Sequence, residues 1–218
     1  MTDQPPTESP PPVREPMFRI PPATGWLIAL NVLVQVVRSL LPQSQDEIVE
    51  NYLAVHTSAL FQHFGAIDFA SLFTYQFMHG GWDHLAANMV FLLAMGPGVE
   101  RPVGKIPYLI IYLSAGVAGA FVQAAMANPA QDDILVGASA SISGVFGALI
   151  VIWRLYRMGD KPLGLLRMAG LLIAMMAITG ILGLGAPEGV PIGWLAHIGG
   201  FIAGMAMGFV VRPPLRHP

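Results

Sequence analysis

The sequence predicts an all-α membrane protein, a six-transmembrane-helix bundle with a long interfacial first loop. Three observations carry this expectation. Of 218 residues, 54% are hydrophobic and 11% charged, against about 25% charged in soluble domains. Six apolar segments punctuate the chain at lengths near what a bilayer needs, roughly 17 residues or more. Lys and Arg are confined to alternate links between those segments, as they are when basic loops stay on the cytoplasmic side. The formal charge of −2 argues against a nucleic-acid partner, and the absence of cysteine excludes disulfides and thiolate chemistry.

Taken in order, residues 1–22 are rich in proline and polar residues and predict a disordered cytoplasmic tail. They lack the apolar stretch of a secretory signal peptide. Gly25–Leu41 is the first apolar segment, interrupted by Asn31, Gln35 and Arg38. Residues 42–81 mix apolar and polar residues and predict amphipathic pieces lying in the membrane interface. The remaining spans are expected near Trp82–Val99, Ile106–Met126, Ser139–Trp153, Leu165–Leu184 and Pro191–Val211. The whole bundle would occupy residues 23–212, with residues 213–218 as a second cytoplasmic tail. The fifth segment is rich in Met and Gly, which suits a helix that moves against lipid.

The basic residues test this count. Arg14 and Arg19 precede the first span, and Arg101 and Lys105 lie between the second and third. Arg154, Arg157, Lys161 and Arg167 surround the link from the fourth to the fifth, and Arg212 and Arg216 follow the sixth. The pattern places both termini in the cytoplasm of a multi-pass protein, and the cell (inner) membrane is its expected location. Arg38 alone breaks it, and near a helix end it is expected to snorkel to the outer surface.

Depth then singles out four polar residues. Ser139 lies 15 residues before Arg154, and His197 lies 15 before Arg212. That separation is about 22 Å of helix in a hydrocarbon core of about 30 Å. His84 and Asn88 lie 17 and 13 residues before Arg101, so all four share one layer on the outer side. His84 and Asn88 also share a helix face. Small-residue stripes at Gly200, Gly204 and Gly208, and at Ser139, Ser143 and Gly147, allow the sixth and fourth spans to approach closely. Such an approach would bring the Ser139 hydroxyl to the His197 ring, and a serine nucleophile needs such a base. Ser141 and Ser143 read more simply as packing residues. These polar groups are costly in lipid and suggest function, but on this ground alone transport or proton relay stays open. A metalloprotease H-E-x-x-H motif is absent, and no span interior contains Asp, Asp83 standing at the edge of the second span.

At these residues the chain resembles the rhomboid family of intramembrane serine proteases. The resemblance rests on Gly137-Ala138-Ser139 opening the fourth span and on the run Ala196 to Gly204 in the sixth. It rests also on His84 to Asn88 behind the Met78-His79-Gly80-Gly81 lead-in, and on Gly98-Val99-Glu100-Arg101. The resemblance implies a rhomboid-like bundle and a dyad in which Ser139 attacks the scissile carbonyl and His197 carries its proton. It implies an oxyanion site formed by Asn88, His84 and the Ser139 backbone N–H, with Gly137, His79, Gly200 and Gly204 supporting. Neither cofactor nor metal is implied. The partners would be transmembrane protein substrates and the lipid bilayer, with the active site opening to the outer face. A catalytically inactive rhomboid-like protein that binds membrane helices is the alternative, although this chain keeps both dyad residues.

Two positions depart from the family pattern. Ala140 follows Ser139 where glycine is usual, and its methyl is expected beside the oxyanion site. Ala70-Ser71 stand where a Trp-Arg pair is common, which puts the anchoring of the first loop in question.

Overall fold

The computed structural model describes residues 20–62, 64–127, 132–156, 170 and 193–211. These form eight helices, α1 (Pro22–Ser39), α2 (Gln43–Leu53), α3 (Ala59–Gln62), α4 (Ala66–Thr74), α5 (Trp82–Val103), α6 (Lys105–Met126), α7 (Ser139–Tyr156) and α8 (Trp194–Val210). A 3-10 turn at Tyr75–Phe77 follows α4, and two short strands, β1 (Val55–His56) and β2 (Ile134–Leu135), pair antiparallel. Five of the six expected apolar segments fall on α1, α5, α6, α7 and α8. The expected fifth segment apart from Gly170, residues 1–19 of the first tail, the whole second tail and the basic residues Arg14, Arg19, Arg157, Lys161, Arg167, Arg212 and Arg216 lie outside the described residues, whereas Pro22, expected in the tail, already belongs to α1. Among the described helices, α6 alone has the length and apolar composition to cross a membrane, while two shorter apolar helices cover Ser139–Leu155 and Trp194–Val210.

α6, α7 and α8 pack around one another, and α5 joins α7 to α1. Small residues make the α7–α8 contact close. A Cβ on Gly204 would meet the Gly144 backbone, and one on Gly200 would meet the Ala140 carbonyl. A Cβ on Gly147 would meet the Phe201 carbonyl. The expected stripe on α7 is therefore incomplete, because Gly144 lies off it and faces both Ala115 of α6 and Gly200 of α8. The main core fills the space behind this contact with Leu92, Tyr108, Ile111, Tyr112, Val145, Phe146 and Ile152, each almost wholly buried.

The other end of α1 is fixed by Glu100. Its carboxylate accepts the backbone N–H groups of Ala23 and Thr24 at 2.8 and 2.7 Å, and the Thr24 hydroxyl at 2.8 Å. The first turn of a helix leaves such donors unpaired and favours negative charge. Glu100 is 3% exposed, so a carboxylate in the GVER run is stabilised by the helix it caps.

Arg38 does not snorkel. It is 6% exposed, with Nε and Nη2 donating to Asp46 at 2.7 and 3.0 Å and Nη2 to Glu50 at 2.6 Å. Nη1 donates to the His79 carbonyl at 2.9 Å. The guanidinium turns inward because its planar fork finds two carboxylates and a carbonyl there, which a solvent-facing ring of water would not hold in place. The first loop is also anchored without a Trp-Arg pair. Thr74 Oγ1 donates to the Leu53 carbonyl at 2.8 Å, and Tyr75 OH to the Gly116 carbonyl at 2.7 Å.

Candidate active site

The loop before α7 ends in a turn that only glycine makes easily. Gly137 has φ +117°, where an L side chain is strained. Its N–H donates to the Tyr75 carbonyl at 2.9 Å. A Cβ here would stand 2.8 Å from His84 Cε1, 3.0 Å from His84 Nε2 and 3.8 Å from Asn88 Nδ2. The turn thus brings the first residue of Gly-Ala-Ser against both polar side chains of α5. Asn88 is 5% exposed, and its Nδ2 has no hydrogen-bond acceptor among the described residues.

Ser139 opens α7 and His197 lies in the first turn of α8. Their side chains meet across 58 residues of sequence, with Ser139 Oγ 2.8 Å from His197 Nε2. For the hydroxyl to donate, the ring proton must sit on Nδ1, and Nδ1 is buried without a partner among the described residues. His197 is held by its helix start. Gln123 of α6, 4% exposed, accepts the Ala196 N–H on Oε1 at 3.3 Å, one residue before the histidine.

His79 packs behind His84, the rings edge to face with centroids 5.1 Å apart. It is 1% exposed, and its carbonyl is the one that Arg38 holds. His79, His84, Asn88, Gly137, Ser139 and His197 are therefore one cluster, while Gly200 and Gly204 lie along the α7–α8 seam beneath it.

The remaining serines have structural bonds. Ser141 is wholly buried, and its hydroxyl donates to Gln76 Oε1 at 2.8 Å. Ser143 Oγ donates to the Ser139 carbonyl at 2.8 Å, a back-bond within the helix. The Ala140 methyl faces α6. The residue is 1% exposed, and a Cβ on Gly119 of α6 would stand 2.8 Å from the Ala140 methyl. Because residue 140 is rotated about 100° from 139 on the helix, its side chain points into the α6 contact instead.

The sequence reading missed Tyr75, Gln76 and Gln123. Gln76 is fully buried, with Nε2 donating to the Leu72 carbonyl at 2.7 Å and the Leu113 carbonyl at 3.3 Å. The available signal was a lone amide inside an apolar run, Gln76 in SLFTYQF and Gln123 in AFVQAA.

A family model described as the Rhomboid domain matches residues 66–214. The chain belongs to the rhomboid family. This rhomboid chain is 32% identical over 179 residues to RHOMBOID-like protein 4 of Arabidopsis thaliana, covering 75% of the chain and 42% of that protein. It is 30% identical over 140 residues to Rhomboid-type serine protease 2 of Emericella nidulans, covering 63% of the chain and 26% of that protein. It is 26% identical over 135 residues to Putative rhomboid protease YdcA of Bacillus subtilis, covering 61% and 62%. The rhomboid chain spans less than half the length of the first two of these proteins. Residues 20–65, with Arg38 and β1, precede the part that the family model matches.

Proposed function

We propose that the protein is an intramembrane serine endopeptidase that cleaves membrane-protein substrates in or near their transmembrane segments. The observation that carries this reading is the 2.8 Å approach of Ser139 Oγ to His197 Nε2. In this reading Ser139 Oγ attacks the scissile carbonyl carbon while His197 Nε2 takes the hydroxyl proton. The tetrahedral oxyanion accepts from Asn88 Nδ2, His84 and the Ser139 N–H. His197 then gives its proton to the leaving amine, the C–N bond breaks, and an acyl ester remains on Ser139. Water, deprotonated by His197, attacks that ester, and the serine leaves with the returned proton. Neither a metal nor a cofactor has a step in this sequence.

The membrane arrangement belongs to the same proposal. The domain spans residues 23–212 and crosses six times, with residues 1–22 and 213–218 as cytoplasmic tails, in the cell (inner) membrane. The support is the alternation of Lys and Arg along the chain. The exposed apolar side chains of Phe61, Phe64, Ile67 and Phe69 suit a first loop lying in the interface. The site then opens to the outer face, where water and an unwound substrate segment can reach Ser139.

A fluorophosphonate probe on the detergent-solubilised full chain tests the dyad. Labelling of the wild type, absent from Ser139→Ala and at least tenfold slower in His197→Ala, is the expected result. A Ser139→Ala variant that labels like the wild type would overturn it.

A further inference from the structure

The strand just before the Gly137 turn is held to the first loop by more than its ladder. β1 and β2 pair Val55 with Leu135 and His56 with Ile134. Thr57 N–H donates to the Asp133 carbonyl at 3.0 Å, and the Asp133 N–H to Thr57 Oγ1 at 3.1 Å. Two-residue strands form too short a ladder to persist by themselves. Asp132 supplies the missing hold. Its Oδ1 accepts the Ser58 N–H at 3.1 Å and the Ser58 hydroxyl at 2.7 Å, and its Oδ2 lies 2.6 Å from His56 Nδ1. The other ring nitrogen, Nε2, lies 3.1 Å from the Asn51 carbonyl in α2.

Both ring nitrogens of His56 therefore face oxygens that can only accept. A neutral imidazole carries one N–H and satisfies one of them, whereas the imidazolium carries two. We propose that the cationic His56 ring is a latch that clamps β2, and with it the Gly137–Ser139 turn, to α2 and β1, and that loss of its proton loosens the turn. His56 is thus a positioning residue. Its effect on catalysis rests on the protease reading, but the latch itself does not.

The charged surroundings are consistent in sign. Asp132 faces the ring directly. Asp133, the next residue, is tied through its backbone to Thr57. Glu50, beside Asn51 in α2, is bonded to Arg38. Partial burial pushes the Asp132 carboxyl up, but the Ser58 and His56 bonds outweigh it and hold the group below the ordinary carboxylate range. Asp132 stays anionic wherever a histidine titrates. The latch is closed while the His56 ring donates from both nitrogens and is released when it donates from one. His197 has the opposite requirement, since it must be neutral to accept the Ser139 proton.

Amide hydrogen exchange on the full-length Ser139→Ala protein in detergent tests the latch without any chemistry. Protection at the Thr57 and Gly137 amides, corrected for intrinsic rates, is expected to fall about two- to fivefold from about pH 5 to about pH 8, the range in which imidazoles as a class change charge. In His56→Gln and in Asp132→Asn, protection should be lower and independent of pH. Protection that does not change with pH in the parent, or that changes equally in both variants, would overturn the proposal. Fluorophosphonate labelling of the Ser139-containing forms adds a second readout. The wild type should slow on the alkaline side, and His56→Gln should not. A wild type that never labels would sink the protease reading while the exchange result still decides the latch. Labelling with pH-independent exchange would sink the latch alone.

Discussion

Arg38 Nη1 donates to the His79 carbonyl at 2.9 Å across 41 residues, so the start of the His79–His84–Asn88 run hangs on a side chain from α1. The same guanidinium holds Asp46 and Glu50. The His84–Asn88 side of the site is thereby fastened to α1 and α2 as well as to α5.

Replacing Arg38 by Met should cost about 1.5–3 kcal/mol, the worth of hydrogen bonds to a charged group whose partners are left behind. Asp46→Asn should cost less, about 0.2–1 kcal/mol, because that carboxylate is a third exposed. Arg38→Lys keeps the charge but loses the fork and should fall between them. Chemical or thermal unfolding in one detergent gives the order, and an Asp46→Asn cost above that of Arg38→Met would contradict it.

Gly137→Ala places a methyl in a backbone region that L residues rarely occupy and against the His84 ring. A loss of about 1–3 kcal/mol in stability is expected from strain of this kind. Fluorophosphonate labelling should drop at least tenfold. Gly80→Ala is the control, since nothing lies within 4 Å of its added Cβ, and it should label and unfold as the parent does.

Ser141→Ala leaves Gln76 Oε1 without its donor in a fully buried position. An unsatisfied buried acceptor costs about 1–3 kcal/mol. Ser143→Ala removes a back-bond within α7, a kind of bond that does not add to helix stability, and losing that bond should cost less than losing the Ser141 bond. Both variants should still label, which separates them from Ser139→Ala. Loss of labelling by a fully folded Ser141→Ala protein would mean that the nucleophile has been misassigned.

Asp132 sets an acid limit on stability. Its carboxyl is held below the ordinary range in the folded chain. A lowered carboxyl contributes stability that is present above the unfolded value, about 3.9, and disappears as pH falls through the folded value. The difference in unfolding midpoint between the parent and Asp132→Asn should therefore shrink below about pH 4. A difference that grows on acidification would reverse the sign and refute this account.

Much of the site was legible because its signals are local. The helical segments follow from apolar runs, and α1, α5, α6, α7 and α8 coincide with five of the six expected. Equal distances to basic residues aligned Ser139 with His197 before any contact was known. Helical spacing put His84 and Asn88 on one face, and both turn toward Gly137. Periodicity could not supply the partners of buried polar groups. Arg38 carried a charge that placed it at the surface by rule, yet two acidic residues from α2 draw it inside.

What the sequence determined by itself is the helical character, the apolar segments and the identity of the polar residues that meet, because each depends on residue type and on spacing within one helix. What only the tertiary structure decided is who bonds whom: Arg38 with His79, Gln76 with Ser141, Gln123 with the start of α8, His56 with Asp132. It also decided that the Ala140 methyl packs against Gly119 of α6. The physical reason is that hydrogen bonds reach about 3 Å and a methyl contact about 4 Å. Such short-range choices across 41 to 76 residues of chain are made only when the helices have docked.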